Sequence, residues 1–321
     1  MRVLVTGMGG ELGTRVALML ESDSRIAEIY GLDVDPPRRR LRRSEFKRID
    51  PRDRRGTVDA VRQWAPTAVI HLGIYEPHGR STPATARERS ISGSLAALGA
   101  AVESTELDRI VTRSGIEVYG RRRNAPLVPD EATAPDPTAQ FGHTLLRTEA
   151  VAASAGESAD VPVTALRFAP LVGPHFPSPL GRYLRLPLVP VSALADPPFS
   201  LVHQEDAADA IVAALHARYD GPLNIVGPGA VTASQAARMG RRLPVPLIGP
   251  EWRLARRLSE LAGSPVPDHV LELMHRGRTA NGAEGRSQLA LDHTHTTRDV
   301  VKELYEWAPV THLNVVEGQA A

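Results

Sequence analysis

The chain has 321 residues, 42% of them hydrophobic and 23% charged, with a formal net charge of +1. That length suits one large α/β domain, or a core domain with a small second lobe, and the near-zero charge gives no case for nucleic acid or a membrane surface as a partner. Cysteine is absent, which excludes disulfides, thiolate metal sites and a cysteine nucleophile.

Taken in order, short apolar runs alternate with helical patterns. Strands are predicted at Arg2–Thr6, Glu28–Asp33, Glu45–Arg48, Ala68–Leu72, Arg109–Thr112 and Val163–Phe168. Helices are predicted over Glu11–Glu21, Thr57–Trp64, Ala86–Glu103 and Thr138–Ala153. Strand–helix alternation of this kind argues for a parallel sheet covered on both faces. The run RRRLRR at Arg38–Arg43 reads as a solvated helix face, with cofactor phosphate contact as its alternative. From Leu171 onwards prolines crowd the chain, too many for a regular core element. They mark an excursion into a small substrate lobe, with a return to the sheet expected within Leu201–Tyr219. The expected fold is therefore α/β: a Rossmann-type doubly wound parallel sheet over residues 1–170, rejoined by about 201–220. A small C-terminal substrate lobe would be built from 171–200 and 221–321. No apolar run is long enough to span a bilayer and no leader precedes the first strand, so a cytoplasmic location is expected.

Gly7, Gly10 and Gly13 stand between the first strand and the first helix at the spacing Gly-x-x-Gly-x-x-Gly. Glycine permits the tight turn and the close approach of a pyrophosphate, and helix-start amides, here those of Glu11 and Leu12, bind its charge. Asp33 ends the second strand, where a carboxylate holds the adenosine ribose, and Asp50 follows the third strand within reach of an adenine amine. Asp33 would repel a 2′-phosphate, which favours NAD over NADP, although Arg38–Arg40 lie nearby.

These pieces resemble the extended short-chain dehydrogenase/reductase family, in its NAD-dependent epimerase/dehydratase branch. TGMGGELG matches the glycine turn, VIHLG the fourth strand, SGIEVYG the fifth strand and its loop, and LRFAPLVGP the Arg-x-x-Asn-x-x-Gly-Pro segment. LVHQEDAADAI and TTRDVVKELYEWAP match later stretches, so the resemblance spans nearly the whole chain. It implies a dinucleotide cofactor contacted also by Leu72 and Gly73, a nucleotide-sugar substrate, and a homodimer formed through two long helices.

The departures fall where the resemblance places the chemistry. Family members use a Ser or Thr, a Tyr and a Lys; here those positions are Gly115, Phe141 and Leu145. The basic residues are almost all arginine, only Lys47 and Lys302 being lysine, yet position 145 is leucine, so lysine-to-arginine drift does not restore the set. Phe for Tyr removes a proton-transfer group. The candidates left to act in its place are His143, Tyr119 and Ser114, with His78, Arg113, Glu117, His175 and Arg182 as substrate contacts. Arg167 is expected to buttress the fold and Asp206 to cap a helix. No metal-ligand spacing stands out; the closest histidine pair is His293 and His295. Three functions remain open: an atypical NAD-dependent epimerase or dehydratase, a redox-inactive dinucleotide-binding sensor or partner subunit, and a non-redox lyase or isomerase that reuses the pocket.

Overall fold

The computed structural model describes residues 1–78, 81–173, 176–248, 252, 257, 265–292 and 294–306. Its centre is a seven-stranded parallel sheet of β1 (Arg2–Thr6), β2 (Glu28–Asp33), β3 (Ser44–Arg48), β4 (Ala68–His71), β5 (Arg109–Gly115), β6 (Val163–Phe168) and β11 (Gly221–Ile225). The order is β11-β6-β5-β4-β1-β2-β3. Strand order reverses between β1 and β4, so the crevice beyond their carboxyl ends is where an open α/β sheet takes its ligand.

Two apolar layers cover the sheet. Leu12, Val16 and Leu20 of α1 (Glu11–Ser22) and Ile211 and Leu215 of α6 (Gln204–Ala217) pack with one. Val61 and Trp64 of α2 (Arg54–Trp64), Leu98 of α3 (Pro83–Ala101) and Ala152 and Ala155 of α4 (Gln140–Ala159) pack with the other. β1, β4 and β6 are buried along nearly their whole length, which explains their continuous Val/Ile/Leu character without alternation. Helix α3 begins a turn earlier than the apolar pattern, because the Thr82 hydroxyl caps the amide of Thr85 and Pro83 takes the first turn.

Two readings of the sequence are corrected. The sheet is rejoined by β11, in the segment assigned to the small lobe, whereas Leu201–Tyr219 is largely helix α6. The run Arg38–Arg43 is a mostly exposed loop, not a helix face; Glu21 accepts from the amides of Arg42 and Arg43 at 2.7 Å each and so fixes its end.

The small lobe has its own core of Leu180, Tyr183 and Leu184 from α5 (Pro179–Leu184), Val189 and Val191 from β8 (Leu188–Ser192), and Ala236 and Ala237 from α7 (Ala233–Met239). The helices Asp268–Arg276 and Thr297–Tyr305 complete it. β8 pairs with β13 (Leu243–Leu247), β9 (Pro198–Phe199) with β12 (Val231–Thr232), and β7 (Leu171–Val172) with β10 (Val202–His203). Among the described residues no helix is long and apolar enough to cross a membrane.

At the reversal point His71 is fully buried and joins the two central strands: its Nδ1 lies 2.7 Å from the Thr6 hydroxyl and its Nε2 2.8 Å from the Ser94 hydroxyl. Ser94 donates its own proton to the Ser90 carbonyl, and Thr6 already accepts the amide of Gly73. The bonding therefore suits a neutral ring with its proton on Nε2, and burial pulls the His71 pKa down to about 4. An unfolded chain takes up this proton near pH 6.5 and the folded one only near 4. The neutral ring thus contributes fully above pH 6.5, and that contribution fades as pH falls towards 4, at most about 3 kcal/mol in all. Urea unfolding at pH 7 and pH 4.5 is expected to show a larger acid loss in the wild type than in His71→Asn.

Candidate active site

A cavity enclosing about 30 Å³, room for one or two waters, lies beyond the ends of β5 and β6, under the small lobe. Arg113, Ser114 and Gly115 of β5, Phe141 and Leu145 of α4, Phe168 of β6, Glu76 after β4, Glu117, and His269 and Leu273 of the helix Asp268–Arg276 line it. The motif positions thus do converge, and they are filled in an unexpected way. A Cβ built on Gly115 would sit 2.3 Å from Glu117 Oε2 and 3.1 Å from Leu145 Cδ1. The Glu117 carboxylate occupies the space that a serine or threonine side chain at 115 would need. Position 141 presents an apolar ring, and the imidazole of His269 packs on it at 4.7 Å between centroids. His269 Nε2 lies 2.7 Å from Glu76 Oε1.

The wall is ionic behind this first layer. Arg278 is 2% exposed and reaches Glu117 Oε1 at 3.5 Å while donating to Glu272, which also accepts from Thr138. Among the described residues Arg113 has one acceptor, the Ile74 carbonyl at 3.5 Å. Ser114 is buried, and its hydroxyl has no hydrogen-bond partner among the described residues.

The structure separates the other expected residues from this cavity. The Tyr119 hydroxyl donates to Asn224 Oδ1 at 2.8 Å and accepts from Arg167 Nη1 at 3.0 Å, inside a buried network. Burial pushes its pKa up, partly offset by Arg167. His143 is exposed on α4 and does not line the cavity, and Arg182 is likewise exposed on α5. His78 is exposed and pairs through its backbone with Ser81. His175 lies outside the described residues. Asp206 does not cap its own helix: it accepts from the amides of Thr294 and His295 at 3.1 and 3.2 Å, and the cap of α6 is His203. His203, His295 and Glu303 bring three metal-capable atoms within 4.8 Å of one another, away from the cavity; His293 lies outside the described residues. Glu76 stands in the loop after the fourth strand, where the sequence places the pocket, whereas His269 and Arg278 are residues of this wall that motif reading missed. The signal for His269 was a histidine heading the apolar stripe Val270–Leu273–Met274.

The cofactor side is built as the glycine spacing requires. Gly7 has φ +74°, and a Cβ there would lie 2.7 Å from the Leu72 carbonyl. A Cβ on Gly13 would lie 2.1 Å from the Gly7 carbonyl oxygen, so this glycine lets helix meet strand. Gly10 caps α1 with no side-chain hydrogen bond, leaving the amides that follow it, those of Glu11 and Leu12 among them, for an anion. The side chain of Leu12 itself is in the core. These residues fit a dinucleotide's pyrophosphate. Gly7, Asp33 and Gly73 line a second cavity together with Tyr75, while Leu72 is packed in the core beside it.

Asp33 accepts from the amides of Gly9 and Val34 at 2.9 and 2.6 Å and from the Tyr75 hydroxyl at 3.0 Å. Burial pushes the Asp33 pKa up, its hydrogen bonds opposing. Burial and then the Asp33 charge push the Tyr75 hydroxyl well above its ordinary range, so it stays a donor. Asp50 is turned to Arg52 at 2.7 Å and Arg89 at 3.6 Å and does not line this cavity; Arg52 is the main cause that holds its pKa down at about 2.

Comparison with known proteins agrees with this architecture. The model of the NAD dependent epimerase/dehydratase family matches residues 3–226. The uncharacterized protein Rv0501 of Mycobacterium tuberculosis is 31% identical over 261 residues, covering 77% of this chain and 68% of that protein, and Mb0513 of Mycobacterium bovis matches equally. Among solved structures, UDP-glucose 4-epimerase of Thermotoga maritima with UDP-glucose superimposes with a TM-score of 0.73 at 17% identity, over 95% of this chain and 98% of that one. UDP-glucose 4-epimerase of Brucella ovis with NAD gives 0.71 at 19% identity, over 94% and 96%. With the sheet order, the glycine turn and the matched span in agreement, this chain belongs to the NAD-dependent epimerase/dehydratase family.

Proposed function

We propose that this protein is an NAD-dependent enzyme of the epimerase/dehydratase type, acting on a nucleotide sugar or similar small molecule, in which His269 moves the proton. The observation that carries this reading is the His269 imidazole packed at a tilt against Phe141 and held by Glu76. Phe141 supplies a flat apolar support and no proton. An imidazole can both accept and donate a proton, and a carboxylate on one ring nitrogen fixes the tautomer and the ring's orientation. His269 comes from the small lobe and Glu76 from the sheet domain, so seating the lobe on the sheet assembles the pair. Bound dinucleotide would supply hydride transfer. On its side the chain offers the glycine cradle for the phosphates and Asp33 for a ribose, and Leu145 withdraws the ammonium that would grip the second ribose.

The test is turnover of a panel of UDP-hexoses with NAD, comparing wild type with His269→Gln, Glu76→Gln and His143→Ala. His269→Gln is expected to lower kcat by about 10²–10⁴-fold, the usual weight of general acid–base catalysis, with KM little changed. His143→Ala is expected to leave kcat within about twofold, as surface changes do. A His269→Gln enzyme that turns over normally would remove this assignment.

One observation favours a second reading, the non-redox lyase or isomerase: Tyr75 already bonds the carboxylate that would grip the adenosine ribose. Turnover that persists without any dinucleotide would establish it.

A further inference from the structure

We propose that Arg113 anchors an oxyanion carried by the substrate, a carboxylate or a phosphoryl group, so that the site takes an acidic sugar derivative in preference to a neutral one. This rests on the cavity being the reaction site.

Arg113 stands at the end of β5 and lines the cavity. A guanidinium carries five N–H donors in a planar fork suited to carboxylate and phosphate. Here the described residues provide it one acceptor, the Ile74 carbonyl at 3.5 Å, and no carboxylate within 4.0 Å. The neighbouring acids are engaged elsewhere: Glu76 holds His269, and Glu117 faces Arg278. Arg113 is half-buried, and burial pulls the guanidinium pKa down against the charges of Glu76 and Glu117. An arginine kept for architecture is normally paired with a carboxylate, because withdrawing a cation from water without a partner is costly. A neutral hydroxyl would satisfy one N–H and leave the charge; an oxyanion would take two and balance it.

The full chain, as wild type, Arg113→Met and Arg113→Lys, would be titrated calorimetrically with UDP-glucuronate and UDP-glucose. Thermal shifts with acetate and inorganic phosphate would be read at matched ionic strength. Wild type is expected to bind UDP-glucuronate about tenfold or more tightly than UDP-glucose, the weight of a charge-assisted fork. The preference should fall to within about twofold in Arg113→Met and be partly kept in Arg113→Lys, which retains charge without the fork. If the two sugars bind alike while phosphate protects wild type and not Arg113→Met, the anchored group is phosphoryl. The melting temperature of Arg113→Met is expected to be unchanged or higher, since a half-buried cation with no carboxylate partner among the described residues is removed; an arginine serving architecture alone would lower it.

The proposal is overturned if the carboxylate preference survives in Arg113→Met. It is equally overturned if wild type shows no preference and neither free oxyanion protects it. Absence of all nucleotide-sugar binding would remove the proposed function, and acetate and phosphate would still report on Arg113.

Discussion

Gly10→Asp is expected to abolish dinucleotide binding while leaving the fold as stable as before. Gly10 has φ −69° and ψ 165°, open to any residue, and a Cβ there meets nothing nearer than the Gly7 carbonyl oxygen at 3.4 Å. Aspartate is among the best N-cap residues, so its carboxylate would take the very amides of α1 that a pyrophosphate needs. It would also place a negative charge against the phosphates, and like-charge juxtaposition costs several kcal/mol, a loss of at least about a hundredfold in affinity. Gly13→Ala provides the contrast: its Cβ would lie 2.1 Å from the Gly7 carbonyl oxygen, so the helix must leave the strand and stability itself falls. Calorimetry with NAD⁺ and NADH beside a melting curve reads both. Retained micromolar binding in Gly10→Asp would mean that the cradle is not the phosphate site.

The second large effect belongs to Arg167. Its Nε and Nη2 donate to the two oxygens of Glu149 at 3.0 and 2.8 Å, its Nη1 donates to Tyr119, and its guanidinium lies 5.1 Å from the Tyr119 ring centre. The two charged side chains are 6% and 11% exposed. Tyr119 continues the chain of bonds to Asn224 of β11, whose amide donates to Glu131 and whose side chain donates to the Asn281 carbonyl. Arg167→Met leaves the Glu149 carboxylate buried without its partner, a change that typically costs about 3–5 kcal/mol. Pairing it with Glu149→Leu removes both charges and is expected to recover most of that loss. Urea denaturation of the four members of this cycle measures the coupling, and a recovery of under about 1 kcal/mol would show that the bonds to Tyr119, not the ion pair, carry the energy.

The same network explains why Tyr119 was legible as a motif and misleading as a candidate. The Val-Tyr-Gly loop is recognisable because it closes the sheet edge, and its hydroxyl is consumed there. Strands β1, β2 and β6 were readable to the residue, since buried parallel strands are continuous apolar runs bounded by turns. β11 was not: Gly-Pro-Leu-Asn-Ile is short, opens on two strand-poor residues and carries Asn224 for the network. The glycine turn and Asp33 were legible because they are local. Glu76 and His269 lie 193 residues apart in sequence, and nothing in either segment announces the other. Their meeting depends on how the small lobe seats on the sheet, which only the folded chain displays.

Tyr75 and Glu76 are consecutive residues with opposite obligations. The first is tied to Asp33 in the cofactor crevice and the second to His269 in the cavity. A carboxylate has about four lone-pair sites, and Asp33 already spends three, so were it to take both hydroxyls of a ribose one of its present donors would have to let go, and the Tyr75 side chain is freer to move than the two backbone amides. The segment after β4 thus touches two compartments at once. Were a ligand at one end to shift this segment, the contact at the other would shift with it, and by reciprocity a ligand that fixes Glu76 and His269 would change the affinity of a ligand held by Asp33.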